Sequence, residues 1–329
     1  MDRRSGPNLR RVNRRTWTLL LILAAIWGAS YMFIKIGVRE ISPGMVAWAR
    51  IALAALVLVG IAAARGALGG FGGRAGTLLL LGAVQVAAPF LLISAGEQEI
   101  SSSLAGILVT SAPLFTALLA IWIDHEERSQ GLRLVGVLLG VAGVGVLLGL
   151  DLGGSGDQLL GGLAVILAGL GYAVGGFIVK HKLGELPSIG VAAWAIVAST
   201  VLLIPAAIIG APSEVPGLGP IAAVVVLGVL GTGIAFAIFY DLIANVGPAR
   251  AFVVTYLAPG FAVVYGAVLL DEAVTVATVL GLALILVGSW LAAEGRLSLS
   301  RPGPAGEPPA SAKEPNRAQT RAIPRPQER

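Results

Sequence analysis

The sequence predicts an all-α membrane protein, ten transmembrane helices arranged as two inverted five-helix repeats, on three observations. The first is composition: of 329 residues 56% are hydrophobic and only 12% charged, with a mean hydropathy of +0.88, whereas soluble domains carry about 25% charged residues. The second is a series of apolar runs of about 20 residues, the length that crosses about 30 Å of hydrocarbon at 1.5 Å per residue. The third is self-similarity. Residues 112–126 read APLFTALLAIWIDHE and residues 258–272 read APGFAVVYGAVLLDE, sharing Ala-Pro, a Phe at the fourth place and a final Glu without a gap.

The ten runs fall at about 17–37, 45–64, 77–96, 103–123, 132–149, 159–179, 189–209, 219–241, 250–270 and 276–293. Between them stand short stretches with turn chemistry, RGALGGFGGRAG at 65–76, DLGGSGDQ at 151–158 and APSEVPGLGP at 211–220. Spans this long with connections this short make a compact bundle. The first run follows an arginine-rich start in the manner of a signal peptide, but it is too long for the apolar region of one and has a counterpart deeper in the chain. Residues 1–16 are expected to be a basic tail and residues 297–329, rich in Pro and charge, a disordered one; 17–149 and 159–293 are the two expected repeat units.

Basic residues set the orientation. If both termini are cytoplasmic, 20 Lys and Arg lie in cytoplasmic segments and only Lys35 and Arg39 lie outside, with Arg50 inside the second span. That asymmetry follows the positive-inside rule and predicts a multi-pass protein of the cytoplasmic membrane with both termini in the cytoplasm. The net charge of +5 therefore reports topology. No basic stripe alternates with aromatics as in a nucleic-acid binder.

The repeat extends beyond the quoted blocks. Lys35 and Glu40 match Lys180 and Glu185 at an offset of 145, Phe90 matches Phe236 at 146, and Gly136 and Gly143 match Gly281 and Gly288 at 145. Five spans are an odd number, so the second copy enters the membrane from the opposite face, and a pseudo-two-fold axis in the membrane plane relates the halves.

On WGASY…K (Trp27 to Lys35), AWAR (Ala47 to Arg50) and the doubled AP-F blocks ending in Glu, the chain resembles the EamA-type members of the drug/metabolite transporter superfamily over residues 17–293. The resemblance implies a permease for small metabolites, amino acids or drugs among them, working outward by alternating access. It also implies that spans five and ten buttress the others. The copies differ: Trp27 corresponds to Tyr172, and Arg50 aligns near Ala195 and Ile196, with no basic partner.

A carrier needs a polar site near mid-membrane, where irregular backbone is tolerated only if it lines a cavity or packs on protein. Pro113 and Pro259 lie at the centres of the fourth and ninth spans, and each removes a helical hydrogen bond, freeing the carbonyls of Val109 and Thr255. They are the expected gating bends, the structural alternative being kinks whose carbonyls Thr110 and Thr255 hydroxyls satisfy. Trp27, Tyr31 and Lys35 share one helix face, as do Thr232, Phe236 and Tyr240. With Ser30, Arg50, Gln85 and Tyr172 these supply the expected substrate-binding set: Trp27, Ser30, Tyr31, Lys35, Arg50, Gln85, Tyr172, Thr232 and Phe236. Trp17, Trp122 and Trp290 fit an interfacial belt. Arg50 and Lys35 would attract a carboxylate or phosphate, or else pair with Glu97 or Glu99. No Asp or Glu lies near a midplane, which leaves coupling to exchange, facilitated movement or titration nearer the edge at Glu97 or Asp241. Glu126 and Glu272 are expected to cap the helices that follow them.

The remaining signals are weighed against other chemistry. The chain has no cysteine and two histidines, His125 and His181, both in loops; no metal, cofactor or catalytic residue is expected, and an intramembrane serine protease lacks its histidine. GVLGTG at 228–233 lies in mid-membrane with no preceding strand, unlike a nucleotide loop. A flippase for lipids or lipid-linked sugars is the rival reading, and it predicts a groove open to lipid. Glycines at 136, 140, 145 and 149, and small residues along the tenth span, allow close helix approach, inside one chain or across a homodimer.

Overall fold

The computed structural model describes residues 14–123, 132–151 and 155–294. Among these, ten apolar helical segments each reverse the direction of the one before: α1 Arg14–Gly37, α2 Pro43–Ala64, α3 Ala75–Glu99, α4 Ser102–Ala120, α5 Leu132–Gly149, α6 Gly156–Leu183, α7 Ser188–Leu202, α8 Leu218–Val246, α9 Val253–Leu269 and α10 Val276–Glu294. Seven are long and apolar enough to cross a membrane; α7, α9 and the apolar part of α10, Val276–Ala292, are shorter. The face at which α1 enters is called the near face below, and the other the far face.

Helix starts are written locally. Ser42 accepts from the Met45 amide at 3.2 Å with Pro43 at the first helical position, and Ser101 and Ser155 accept likewise from Leu104 and Gln158, each answering one of the amides a helix leaves unpaired. Thr275 and Thr278 cap α10 reciprocally. The seventh run is broken: α7 stops at Leu202, and a separate turn of helix, Ile204–Ile209, follows with Pro205 in its first turn. A proline disfavours helical backbone in the residue before it, so one expected span is two pieces.

The bundle is apolar on its outside. Leu56, Leu138, Ile208 and Val268 are more than half exposed, a surface suited to lipid. Trp17 and Trp290 are about half exposed, as for a belt, while the side chain of Trp122 lies outside the described residues.

Packing follows the repeat. α1 lies on α9 and α6 on α4; α1 also meets α8, and α6 meets α3; α2 with α7, α4 with α9 and α5 with α10 pair across the axis. The glycines of α5 and α10 face each other within the chain: a Cβ on Gly136 would stand 2.7 Å from the Gly288 carbonyl. The small stripes thus serve an internal contact.

The sequence contained no sign of a shared irregularity in α3 and α8. Each opens into a π-helical segment, Gly82–Ala87 in α3 and Val229–Ile234 in α8, at matched places in the two copies. Hydroxyls satisfy the loosened carbonyls: Ser199 Oγ shares its proton between the Gly82 carbonyl at 2.9 Å and that of Ala195 at 2.6 Å, and Thr232 Oγ1 donates to the Leu227 carbonyl at 3.0 Å. Such bulges frequently mark functional sites.

Candidate functional site

The two π segments bring a cluster together in mid-bundle. α2 crosses α8 where Gly228 lies against the backbone of Arg50, 3.0 Å from its carbonyl to an ideal Cβ. One turn on, the loosened helix presents Thr232. Arg50 Nε donates to Thr232 Oγ1 at 2.8 Å, and its guanidinium carbon lies 3.9 Å from the centroid of the Phe90 ring. Arg50 is 7% exposed and Thr232 fully buried. A charge this deep in a bundle is costly unless it is paired; here one hydroxyl and a cation–π contact hold it. Tyr31, Tyr172 and Glu97 stand within its electrostatic field.

The other expected residues take different places in the bundle. Tyr31 and Tyr172 pack on one buried cluster with Ile93, Ala168 and Leu227, and Tyr31 lies over Gly106 of α4, where a Cβ would come within 3.2 Å of its ring. These two join Arg50 and Thr232. Trp27 and Phe236 belong to an aromatic row toward the near face: Trp27 meets Phe236 at 6.0 Å and Phe239 at 5.1 Å, and Phe239 meets Phe252 at 5.3 Å. Ser30 is buried with its hydroxyl on its own helix, at the Ile26 carbonyl, and Gln85 lies in the α3 π segment against Gly175 of α6.

Lys35 leaves the group altogether. Its Nζ donates to the carbonyls of Glu97 at 2.6 Å and Ile100 at 2.9 Å, with that of Gln98 at 3.5 Å. It caps the C-terminus of α3, where the helix dipole favours a cation. Glu272 acts on the other side of the same corner: it accepts from the amides of Ser102 and Ser103 at 2.7 and 2.9 Å and from the Ser103 hydroxyl at 2.5 Å. It therefore caps α4, across the bundle, and not the α10 that follows it, because the amides at the start of α4 are the unpaired donors within its reach. Glu126 lies outside the described residues.

The two prolines differ. Pro113 follows a tight 3₁₀ turn, Val109–Ser111, in which the Val109 carbonyl accepts from the Ala112 amide, so that carbonyl is not free. Pro259 sits inside an unbroken helix. The hydroxyls of Thr110 and Thr255 go to Ile107 and Phe252, away from the carbonyls the prolines release, and Ser289 of α10 donates to Thr110 instead.

Sequence reasoning missed Phe90 as a partner of Arg50, although its match to Phe236 was a signal. It also missed the corner clamp of Lys35 and Glu272. No group of His, Cys, Asp or Glu among the described residues could hold a metal.

Residues 15–149 and 159–293 each match the model of the EamA-like transporter family. The chain is 30% identical over 284 residues to the Escherichia coli inner membrane transporter YedA, covering 84% of this chain and 90% of that one. It is 28% identical to a probable terminal-alkyne amino-acid exporter of Streptantibioticus cattleyicolor, over 85% and 94%, and 25% identical to a probable amino-acid metabolite efflux pump of Escherichia coli, over 85% and 95%. A crystal structure at 23% identity matches with a TM-score of 0.59, over 85% of this chain and 98% of its own; that likeness speaks for the fold.

Proposed function

This chain belongs to the EamA-like transporter family and is a multi-pass membrane transporter, and from that premise we propose that it exports small metabolites, amino acids among them, by alternating access. The observation that carries the reading is Arg50: a buried guanidinium on Thr232 and Phe90, flanked by two tyrosines and placed where the two copies cross. A cation held by neutral groups is suited to a carboxylate entering from water. The exporter and efflux names of two relatives support the substrate class and the direction.

In this reading Arg50, Thr232, Tyr31 and Tyr172 hold the substrate. Trp27, Phe236 and Gln85 line the way toward the near face, Ser30 supports the α1 wall, and Lys35 tunes the far end. Pro113 and Pro259 allow the bends of gating. The distribution of Lys and Arg supports a cytoplasmic near face, and 17–149 and 159–293 are the two repeat units; α1 begins at Arg14, three residues ahead of the expected first span at residue 17, and residues 297–329 lie outside the described residues.

The flippase reading needs, on the surface, a groove open to lipid that also carries a charge for a headgroup. Two grooves there, one along Trp48, Ala52, Leu56, Val197 and Val201 and one along Ala25, Phe33, Leu230 and Tyr265, carry no charged side chain for a headgroup phosphate. The test is uptake of a radiolabelled amino-acid panel into proteoliposomes, wild type against Arg50→Ala. Saturable uptake lost in the variant supports the reading. No uptake, with fluorescent lipid moving between leaflets, would replace it by the flippase.

A further inference from the structure

Among the described residues, a fully buried acid lies outside the direct contacts of the site above. Glu97 of α3 is 0% exposed, and neither of its carboxyl oxygens has a hydrogen-bond partner. It rises from the buried stripe that carries Phe90, Ser94 and Glu97 at steps of four and three, seven residues beyond the ring that holds Arg50, about 10 Å along the helix. Ser94 Oγ on the same stripe is also without a partner.

The groups facing Glu97 are specific. α1 presents Lys35, α2 presents Arg50, and the segment after α9 presents Glu272, all within its field; Tyr31 of α1 stands in range as well. Ser102 and Ser103 begin α4, and α6 meets this turn through Gly161 and Val165, which pack on Gly96. Lys35 could neutralise a carboxylate, yet its ammonium is engaged with the carbonyls of Glu97, Gln98 and Ile100. Glu272, already engaged by two amides and a hydroxyl, places a second acid nearby. An ionised carboxylate without hydrogen bonds in such a place is costly; a proton removes that cost.

We propose that Glu97 is a proton-carrying site tied to the far face: it holds its proton while the α3–α4 corner is closed and gives it to water when the corner opens. The proton leaves to the aqueous phase and the cluster loses one positive charge. The carboxylate then draws the Lys35 ammonium off the α3 carbonyls, loosening the clamp that Lys35 and Glu272 form on the corner. Binding a proton from the far side restores the closed arrangement. This deepens the alternating-access reading and rests on it, because it supplies a step through which the pH on the far side biases the open corner over the closed one.

The chain contains no cysteine, so single cysteines can be introduced without background. Ser102→Cys, at a position 0% exposed in the corner, reports opening, and Val215→Cys, at a position 91% exposed, is the control. The maleimide labelling rate of the first, divided by that of the second, is measured in detergent from about pH 5.5 to 8.5, a range that spans carboxyl shifts of burial. We expect the ratio to rise severalfold with pH in the otherwise wild-type chain, to stay low and flat with Glu97→Gln, and to rise with a displaced midpoint with Glu97→Asp. A flat ratio in the wild-type background, an unchanged rise with Glu97→Gln, or an undisplaced midpoint with Glu97→Asp overturns the proposal; the last decides the matter even if the Gln variant does not fold. No substrate enters this measurement, so absence of amino-acid uptake sinks the transport reading and leaves the labelling result standing, and the reverse holds equally.

Discussion

Two crossings between the copies, α7 on α3 and α2 on α8, are the same in backbone and different in chemistry. Where α7 meets α3, Gly82 lies 2.7 Å from the Ala195 carbonyl to an ideal Cβ; where α2 meets α8, Gly228 lies 3.0 Å from the Arg50 carbonyl. The partners are related by the repeat offset of 145 or 146 residues. Both crossings precede or open a π segment. Above the first stand Ala195 and Val86, and above the second Arg50 and Thr232. One scaffold, used twice, is thus apolar in one place and charged in the other. In the function proposed above, the symmetry supplies the hinge and its breaking supplies the binding chemistry.

Variants can attack the shared part or the differing part. The largest effect is expected from Gly82→Leu and Gly228→Leu, which force side chains into backbone and neighbours at both crossings. Each should cost about 3 kcal/mol, seen as a lowered Tm in detergent, and a large effect at only one would break the equivalence. Next is Arg50→Ala, expected to reduce amino-acid uptake in proteoliposomes about a hundredfold, from the loss of a buried charged partner. Ala195→Gly, its counterpart, should leave uptake within about twofold. Thr232→Val keeps the shape and removes the acceptor of Arg50 Nε, and should weaken apparent substrate affinity about tenfold, while Val86→Ala leaves affinity unchanged at a modest loss of Tm. The smallest effect is Ser199→Ala: it removes the hydroxyl on the Gly82 carbonyl and should cost about 1 kcal/mol of stability with transport intact.

Much of the fold was legible because hydrocarbon imposes local rules. Thr232 and Tyr172 stand out by depth, since a polar group far from either surface is unusual, Arg50 stands out as an ionisable residue inside a span, and Tyr31 through the helix face it shares with Trp27 and Lys35. Lys35 was read as part of the same vestibule because it shares a helix face with Tyr31; the structure places it on the α3 carbonyls, a partner that no pattern along α1 announces. The break at Pro205 was local and could have been read. The π segments could not, since glycines and Thr232 each occur in ordinary helices, and only the crossing partners favour the wider turn. In the sequence Glu97 is an edge residue and a candidate partner of Arg50 and Lys35, and its burial without a hydrogen-bond partner depends on where Lys35 goes.

By itself the sequence determined the solvent, the number and depth of the helices and their duplication, because a span must satisfy its backbone internally and match the bilayer in length, and both demands act within one segment. Tertiary structure alone decided which faces turn inward. These helices are apolar on nearly every side, and lipid drives no apolar face inward in preference to another. Rotation and register are therefore settled by close glycine contacts and a few buried hydrogen bonds between segments far apart in the chain.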